Sequence, residues 1–133
     1  MPTTTRNTFK KSERLCSQIL IDRLFQGESR SVAAFPIRAV FLPVDAEVQP
    51  GVSILISVPK KRFHDAVDRN RVKRQIREAY RLNKHLLHEA LEQKKDTAVA
   101  MAFIWQSDEL AETALITEKM QSLLSRMAEK ISR

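Results

Sequence analysis

The spacing of apolar positions changes several times along the chain, and each change marks an element. Between residues 12 and 26, Leu15, Ile19, Ile21, Leu24 and Phe25 recur at roughly helical spacing, with Ser12 placed to cap and Gly27 to stop the helix. "FPIRAVFL" (35–42) predicts a strand, Pro36 suiting its beginning or an edge, and "PVDAEVQP" (43–50) reads as a loop. "GVSILISV" (51–58) alternates: Val52, Ile54, Ile56 and Val58 point one way, Ser53, Leu55 and Ser57 the other. One face of that strand is core, and the other is open or polar. A helix is predicted from about Asp65, its cap, to Lys94. "TAVAMAFIW" (97–105) is almost wholly apolar, as suits a central strand covered on both faces and paired in parallel. A last amphipathic helix, roughly 108–131, is capped by Ser107 or Asp108 and carries Ile116, Met120, Leu123, Met127 and Ile131 as one stripe. Helix–strand–strand–helix–strand–helix predicts a small α/β sandwich with a long helical crossover.

Charge sharpens this picture. The 133 residues carry a net +7. "SVPKKRFHDAVDRNRVKRQIREAYRLNK" (57–84) holds ten Lys or Arg against three Asp or Glu, a surplus of 10 − 3 = +7 that equals the whole. At about 100° per residue, Val72, Ile76, Ala79, Leu86 and Leu87 share the sector that packs on the sheet. Asn70, Arg74, Arg77 and Arg81 line another side, Lys73 and Lys84 flank it, and Arg71 stands at its margin with Glu78 beneath. Like charges at such spacings cost a few tenths of a kcal/mol per pair, which an anionic partner would offset. A merely solvated helix face is the competing account. Against it, Arg outnumbers Lys five to two between Arg69 and Lys84, and Arg makes the better bidentate phosphate contact. Nucleic acid is therefore the expected partner, with an anionic membrane surface second. A half-open strand rather than a short helix precedes the basic helix, so a cleft for single-stranded RNA is favoured over a major-groove reader. Phe25, Phe35 and Phe63 are candidates to line it, although core packing is the favoured reading of each.

Several chemistries are excluded or unsupported. A lone cysteine, Cys16, offers no internal disulfide, and two glycines leave no phosphate-cradling loop. No Ser/His/Asp arrangement is visible, and His85 with His88 makes an incomplete metal site better read as solvated histidines. Trp105 reads as a packing residue. No stretch reaches signal-peptide or membrane-span hydrophobicity, so one cytoplasmic domain (1–133) is expected, with residues 1–8 disordered. No protein partner is evident. Two other readings compete: a general or ribosomal RNA-binding module, and a protein-only domain docking an acidic partner.

"SVPKK" followed by "AVDRNRVKRQIREAYR" resembles the signature of the bacterial ribonuclease P protein component: a strand ending in S-V-x-K-K, a short loop, then a helix with A-V-x-R-N-R-x-K-R-x-x-R-E. The "FKKSE" opening, the first helix ending "LFQG", and the late strand and final helix extend the similarity over nearly the whole chain. It departs from the family pattern at Pro59, in a one-residue-longer "RFHD" loop (62–65), in a longer first helix, and at Ile21, where an aromatic is common. The resemblance implies an α+β-type two-layer sandwich: a small mixed sheet, three helices and a left-handed parallel crossover. It implies a protein subunit whose RNA partner cleaves the 5′ leader from precursor tRNA with magnesium held on RNA phosphates, no cofactor being evident on the protein. Arg69, Asn70, Arg71, Lys73, Arg74, Arg77 and Arg81, with Lys60 and Lys61, would then contact the ribonuclease P RNA, and Phe25, Arg38 and Ser57 would face the single-stranded leader. No catalytic residue is expected on the polypeptide.

Overall fold

A computed structural model describes residues 18–26, 29–45, 52–92 and 97–132. The elements are α1 (Gln18–Phe25), β1 (Arg30–Ala34), β2 (Ile37–Asp45), β3 (Val52–Ser57), α2 (Ala66–Asn83), α3 (His85–Glu92), β4 (Thr97–Trp105) and α4 (Thr113–Ser132). The expected disorder of residues 1–8, the Ser12 cap and the Gly27 stop lie outside the described residues.

The sheet is mixed, in the order β1-β2-β4-β3. β2 runs antiparallel to both β1 and β4, while β3 lies parallel to β4, joined to it through α2 and α3. β4 is thus the central strand that its unbroken apolar run predicts. Alternation divides the side chains. Ile37, Ala39, Phe41, Val52, Ile54, Val99, Met101, Phe103 and Trp105 form one core with the buried sides of α2, α3 and α4. Val40, Leu42, Ala100 and Ala102 face the other way, under Leu24 of α1. The predicted stripe of the last helix, Ile116, Met120, Leu123, Met127 and Ile131, is buried throughout. One sheet face thus carries the helical layer of the α+β sandwich, and α1 covers part of the second face.

Four elements differ from expectation, each for a local reason. β1 is an additional strand. Val32 is its one buried side chain, so it lacks the repeated apolar alternation that announces a strand, yet it pairs fully with β2 across a turn at Phe35–Pro36. β2 starts after that turn and runs on to Asp45, so part of the expected loop is strand. The expected helix 65–94 is two helices, giving four in all instead of three. Asn83 Nδ2 donates to the Ala79 carbonyl at 2.9 Å and competes for an acceptor in the last turn of α2. Gln121 of α4 donates to Asn83 Oδ1 at 3.1 Å and holds that amide in place. The last helix starts at Thr113 because neither expected cap sits at its end. Ser107 Oγ accepts from the Glu109 amide at 3.0 Å within a preceding loop, and Asp108 pairs with Arg62 at 3.2 Å.

On α2, Val72, Ile76, Ala79 and Tyr80 are buried, and the Tyr80 ring stacks obliquely on Phe103 with centroids 6.0 Å apart. Truncating this anchor should be costly: Ile76→Ala is expected to lower unfolding free energy by about 2–5 kcal/mol in urea titrations.

Candidate nucleic-acid interface

The loop between β3 and α2 positions the basic side chains. The Arg62 amide donates to the Pro59 carbonyl at 3.0 Å, closing a turn whose two central residues are Lys60 and Lys61, both exposed. Phe63 is buried and pins the loop into the core, in keeping with its favoured core reading. Arg69 Nη1 donates to the carbonyls of Phe63 and His64 at 2.8 and 2.9 Å. On the helix, Arg69 lies only about 20° from Ile76 and Tyr80, which explains its half-burial. Its role within the protein is to brace the loop that carries the lysines.

Asn70, Arg71, Arg74 and Arg77 are exposed, on the side of α2 away from the core, and Lys73 is half-buried beside them. Arg71 and Arg74 have no hydrogen-bond or ion-pair partner among the described residues. Arg81 is held by Glu78: Nε donates to Oε2 at 3.0 Å, and Nη2 to Oε1. These hydrogen bonds, with the attraction of the opposite charge, hold the Glu78 carboxyl below the usual carboxylate range and raise Arg81. Lys84, expected to flank the face, is 8% exposed, at the junction of α2 and α3. Of the two histidines, His85 is exposed, but His88 is half-buried rather than solvated. Among the described residues no group of three or more His, Cys, Asp or Glu gathers as a metal site.

The second sheet face supplies a different surface. Strand register sets Ala33, Arg38, Ile104 and Ser57 in one row across all four strands. At about 4.8 Å between strands, the row spans about 14 Å. Ala33 and Arg38 are exposed, Ile104 and Ser57 half-buried. The next row inward, Val40, Ala102 and Leu55, lies beside Leu24 of α1. Ala33 and Ser57 are small, so the row mixes short side chains with Arg38 and Ile104 one register position beyond the residues that meet α1. Phe25, at the end of α1, is 51% exposed, and Phe35, in the hairpin turn, is 66% exposed. Neither is the core residue that the favoured reading expected, because each stands at the end of an element or in a turn rather than on a packed face.

Periodicity did not disclose a groove between α2 and the start of α4. Val67, Arg71, Arg74, Gln75 and Glu78 line it from one side and Thr113 from the other. Spacing of i, i+4, i+7, i+8 and i+11 would have grouped the α2 residues. Only the position of Thr113 makes them a concavity.

A mixed sheet backed by helices, one of which turns a cationic face outward, defines a basic α+β protein of the kind that binds polyanions. Comparison with known proteins narrows this. The family model described as Ribonuclease P matches residues 9–128. The ribonuclease P protein component of Porphyromonas gingivalis is 44% identical over 118 residues, covering 89% of this chain and 85% of that protein. That of Chlorobaculum tepidum is 36% identical over 106 residues, covering 76% and 69%. The solved ribonuclease P protein of Staphylococcus aureus superposes with a TM-score of 0.66 at 22% identity, over 88% of this chain and 96% of that one. That of Thermotoga maritima gives 0.63 at 24%, over 86% and 96%. The chain belongs to the ribonuclease P protein family, and so to the protein subunits that support tRNA 5′-end processing.

The Glu78–Arg81 pair gives a pH signature. Because the folded pKa of Glu78 lies below its unfolded value, the pair stabilises the fold above the ordinary carboxylate range and stops doing so as pH falls through the lowered value. The Glu78 carboxyl carbon, followed by NMR, should titrate below that range in the parent protein and return to it in Arg81→Ala.

Proposed function

We propose that this protein is a single RNA-binding domain that joins the ribonuclease P RNA through α2 and guides the 5′ leader of precursor tRNA along the row of the sheet that holds Arg38 and Ser57. Asn70, Arg71, Lys73, Arg74 and Arg77 bind backbone phosphates of the RNA subunit, with Lys60 and Lys61 extending the contact from their turn. Arg69 contributes by fixing that turn, and Arg81 by its orientation on Glu78. On the opposite face Arg38 takes a leader phosphate, Ser57 offers a hydroxyl, and Phe25 provides an aromatic surface at the end of α1. The observation that carries this reading is the outward placement of Asn70, Arg71, Arg74 and Arg77 on a helix whose other side is fixed in the core.

Binding in this way displaces condensed counterions and holds substrate and RNA subunit in one register. Magnesium held on RNA phosphates supplies the Lewis-acid chemistry of cleavage. The polypeptide contributes affinity and orientation, in the cytoplasm, where tRNA precursors are made.

Reconstitution tests the proposal. With the organism's ribonuclease P RNA and precursor tRNA at low magnesium, the protein should raise the yield of mature 5′ ends above that of RNA alone; no gain would return it to a general RNA-binding role. The double variant Arg74→Ala, Arg77→Ala should keep its circular dichroism but bind the RNA subunit at least about ten-fold more weakly. The slope of log affinity against log salt should fall by about 1.5, as two phosphate contacts are lost. An Arg38→Ala variant should discriminate less between precursor tRNA and mature tRNA, while its affinity for the RNA subunit stays at the parent value.

A further inference from the structure

The groove between α2 and α4 combines features that a solvated helix face does not need. Its volume is about 500 Å³, within the roughly 300–1,000 Å³ of ordinary small-ligand pockets. Arg71 and Arg74 enter it without a partner among the described residues, whereas the one carboxylate there, Glu78, has both oxygens engaged by Arg81. Gln75, 9% exposed, lines it too. Its Nε2 donates to the Ala111 carbonyl and to Thr113 Oγ1, both at 3.1 Å. A carbonyl can only accept, so this contact fixes which end of the amide is nitrogen. The other end, Oε1, is a buried acceptor with no hydrogen-bond partner among the described residues. Such an atom carries a desolvation cost of about 1–3 kcal/mol until an N–H or O–H reaches it. Val67, 77% exposed, supplies an apolar wall at the groove mouth.

A ligand that answers all of these carries an anion, an N–H donor a few ångströms away, and a flat apolar face. An unstacked nucleotide does so: its phosphate meets the guanidinium groups, and every RNA base has an N–H on its pairing edge. We propose that this groove holds one extruded nucleotide of a bound RNA, with its phosphate on Arg71 and Arg74, an N–H of its base on Gln75 Oε1, and its ring against Val67. The inference rests on the RNA-binding reading and adds to it a pocket that selects an unpaired position, since in a duplex the pairing edge is already engaged.

The test uses AMP and ribose 5-phosphate, which share the anion and differ in the base. Each is titrated into ¹⁵N-labelled protein while the Gln75 side-chain amide is followed by NMR. AMP should saturate at a concentration at least ten-fold lower than ribose 5-phosphate and shift the Gln75 Nε2 resonances. Equal affinities would overturn the proposal. Gln75→Met and Val67→Ser should each erase the AMP preference. Should Gln75→Met unfold through loss of its bonds to Ala111 and Thr113, the exposed Val67→Ser still decides, and a preference surviving there would also overturn the proposal. Affinity for the ribonuclease P RNA, measured in the same buffer, separates the two ideas. Tight RNA binding without AMP preference removes the groove and leaves the RNA reading standing. AMP preference without RNA binding would overturn the RNA reading and, with it, the assignment of the nucleotide to a bound RNA, leaving only a mononucleotide pocket.

Discussion

Everything on the cationic side of the protein depends on how firmly the opposite side of α2 is buried. Neighbouring cations on the helix, Arg74 with Arg71 and Arg77 among them, repel one another by a few tenths of a kcal/mol per pair. Against this stands the burial of Val72, Ile76, Ala79 and Tyr80, at about 1.5–3 kcal/mol for each large apolar side chain. Packing therefore outweighs repulsion several times over. The helix needs no anion to fold, and Arg71 and Arg74, without a partner among the described residues, remain available to one. Without the Tyr80–Phe103 contact and the aliphatic row beside it, the same sequence would be a weakly helical polycation with no fixed spacing between its guanidinium groups.

The sheet applies a related rule with small residues. β4 must pack on both faces, and it does so unequally: Met101, Phe103 and Trp105 fill the core beneath the helices, while Ala98, Ala100 and Ala102 lie on the other side. Bulky residues there would need a full second layer of helices. Alanines let α1 approach this face closely, with Arg38 exposed and Ser57 half-buried beyond the Val40–Ala102–Leu55 row. The half-open face of β3 and the apolar run of β4 are thus two signs of one arrangement, a sheet thick on one side and thin on the other.

How much of this was legible follows from how local each cause is. β4, the buried stripe of α4 and the outward positions of Asn70, Arg74 and Arg77 follow from residue period alone, and all are present. β1 was not legible because pairing with β2, not its own apolar pattern, makes it a strand. The break after Asn83 depends on Gln121, 38 residues away, holding a side-chain amide. Helical angle placed Arg81 among the outward cations but could not show that Glu78 would hold it. Lys84 lies where one helix ends and another begins, and there an angle carried on from α2 no longer applies. The resemblance to a known family named Arg69 as an RNA contact, and the structure shows what else its guanidinium does.

The arginines of α2 therefore divide by what surrounds them, although their sequence spacing looks uniform. Arg69 is fastened to backbone carbonyls and Arg81 to a carboxylate, while Arg71 and Arg74 have no such partner among the described residues. A fastened guanidinium has lost rotamer freedom on folding, so any further contact it makes comes at less entropic cost; a free one adapts but must be ordered on binding. Fastened groups towards both ends of the helix, with Arg71 and Arg74 adaptable among them, suit a polyanion that is held at several points and irregular at one. An extruded nucleotide is an irregularity of that kind, and the groove beside Gln75 opens where Arg71 and Arg74 stand.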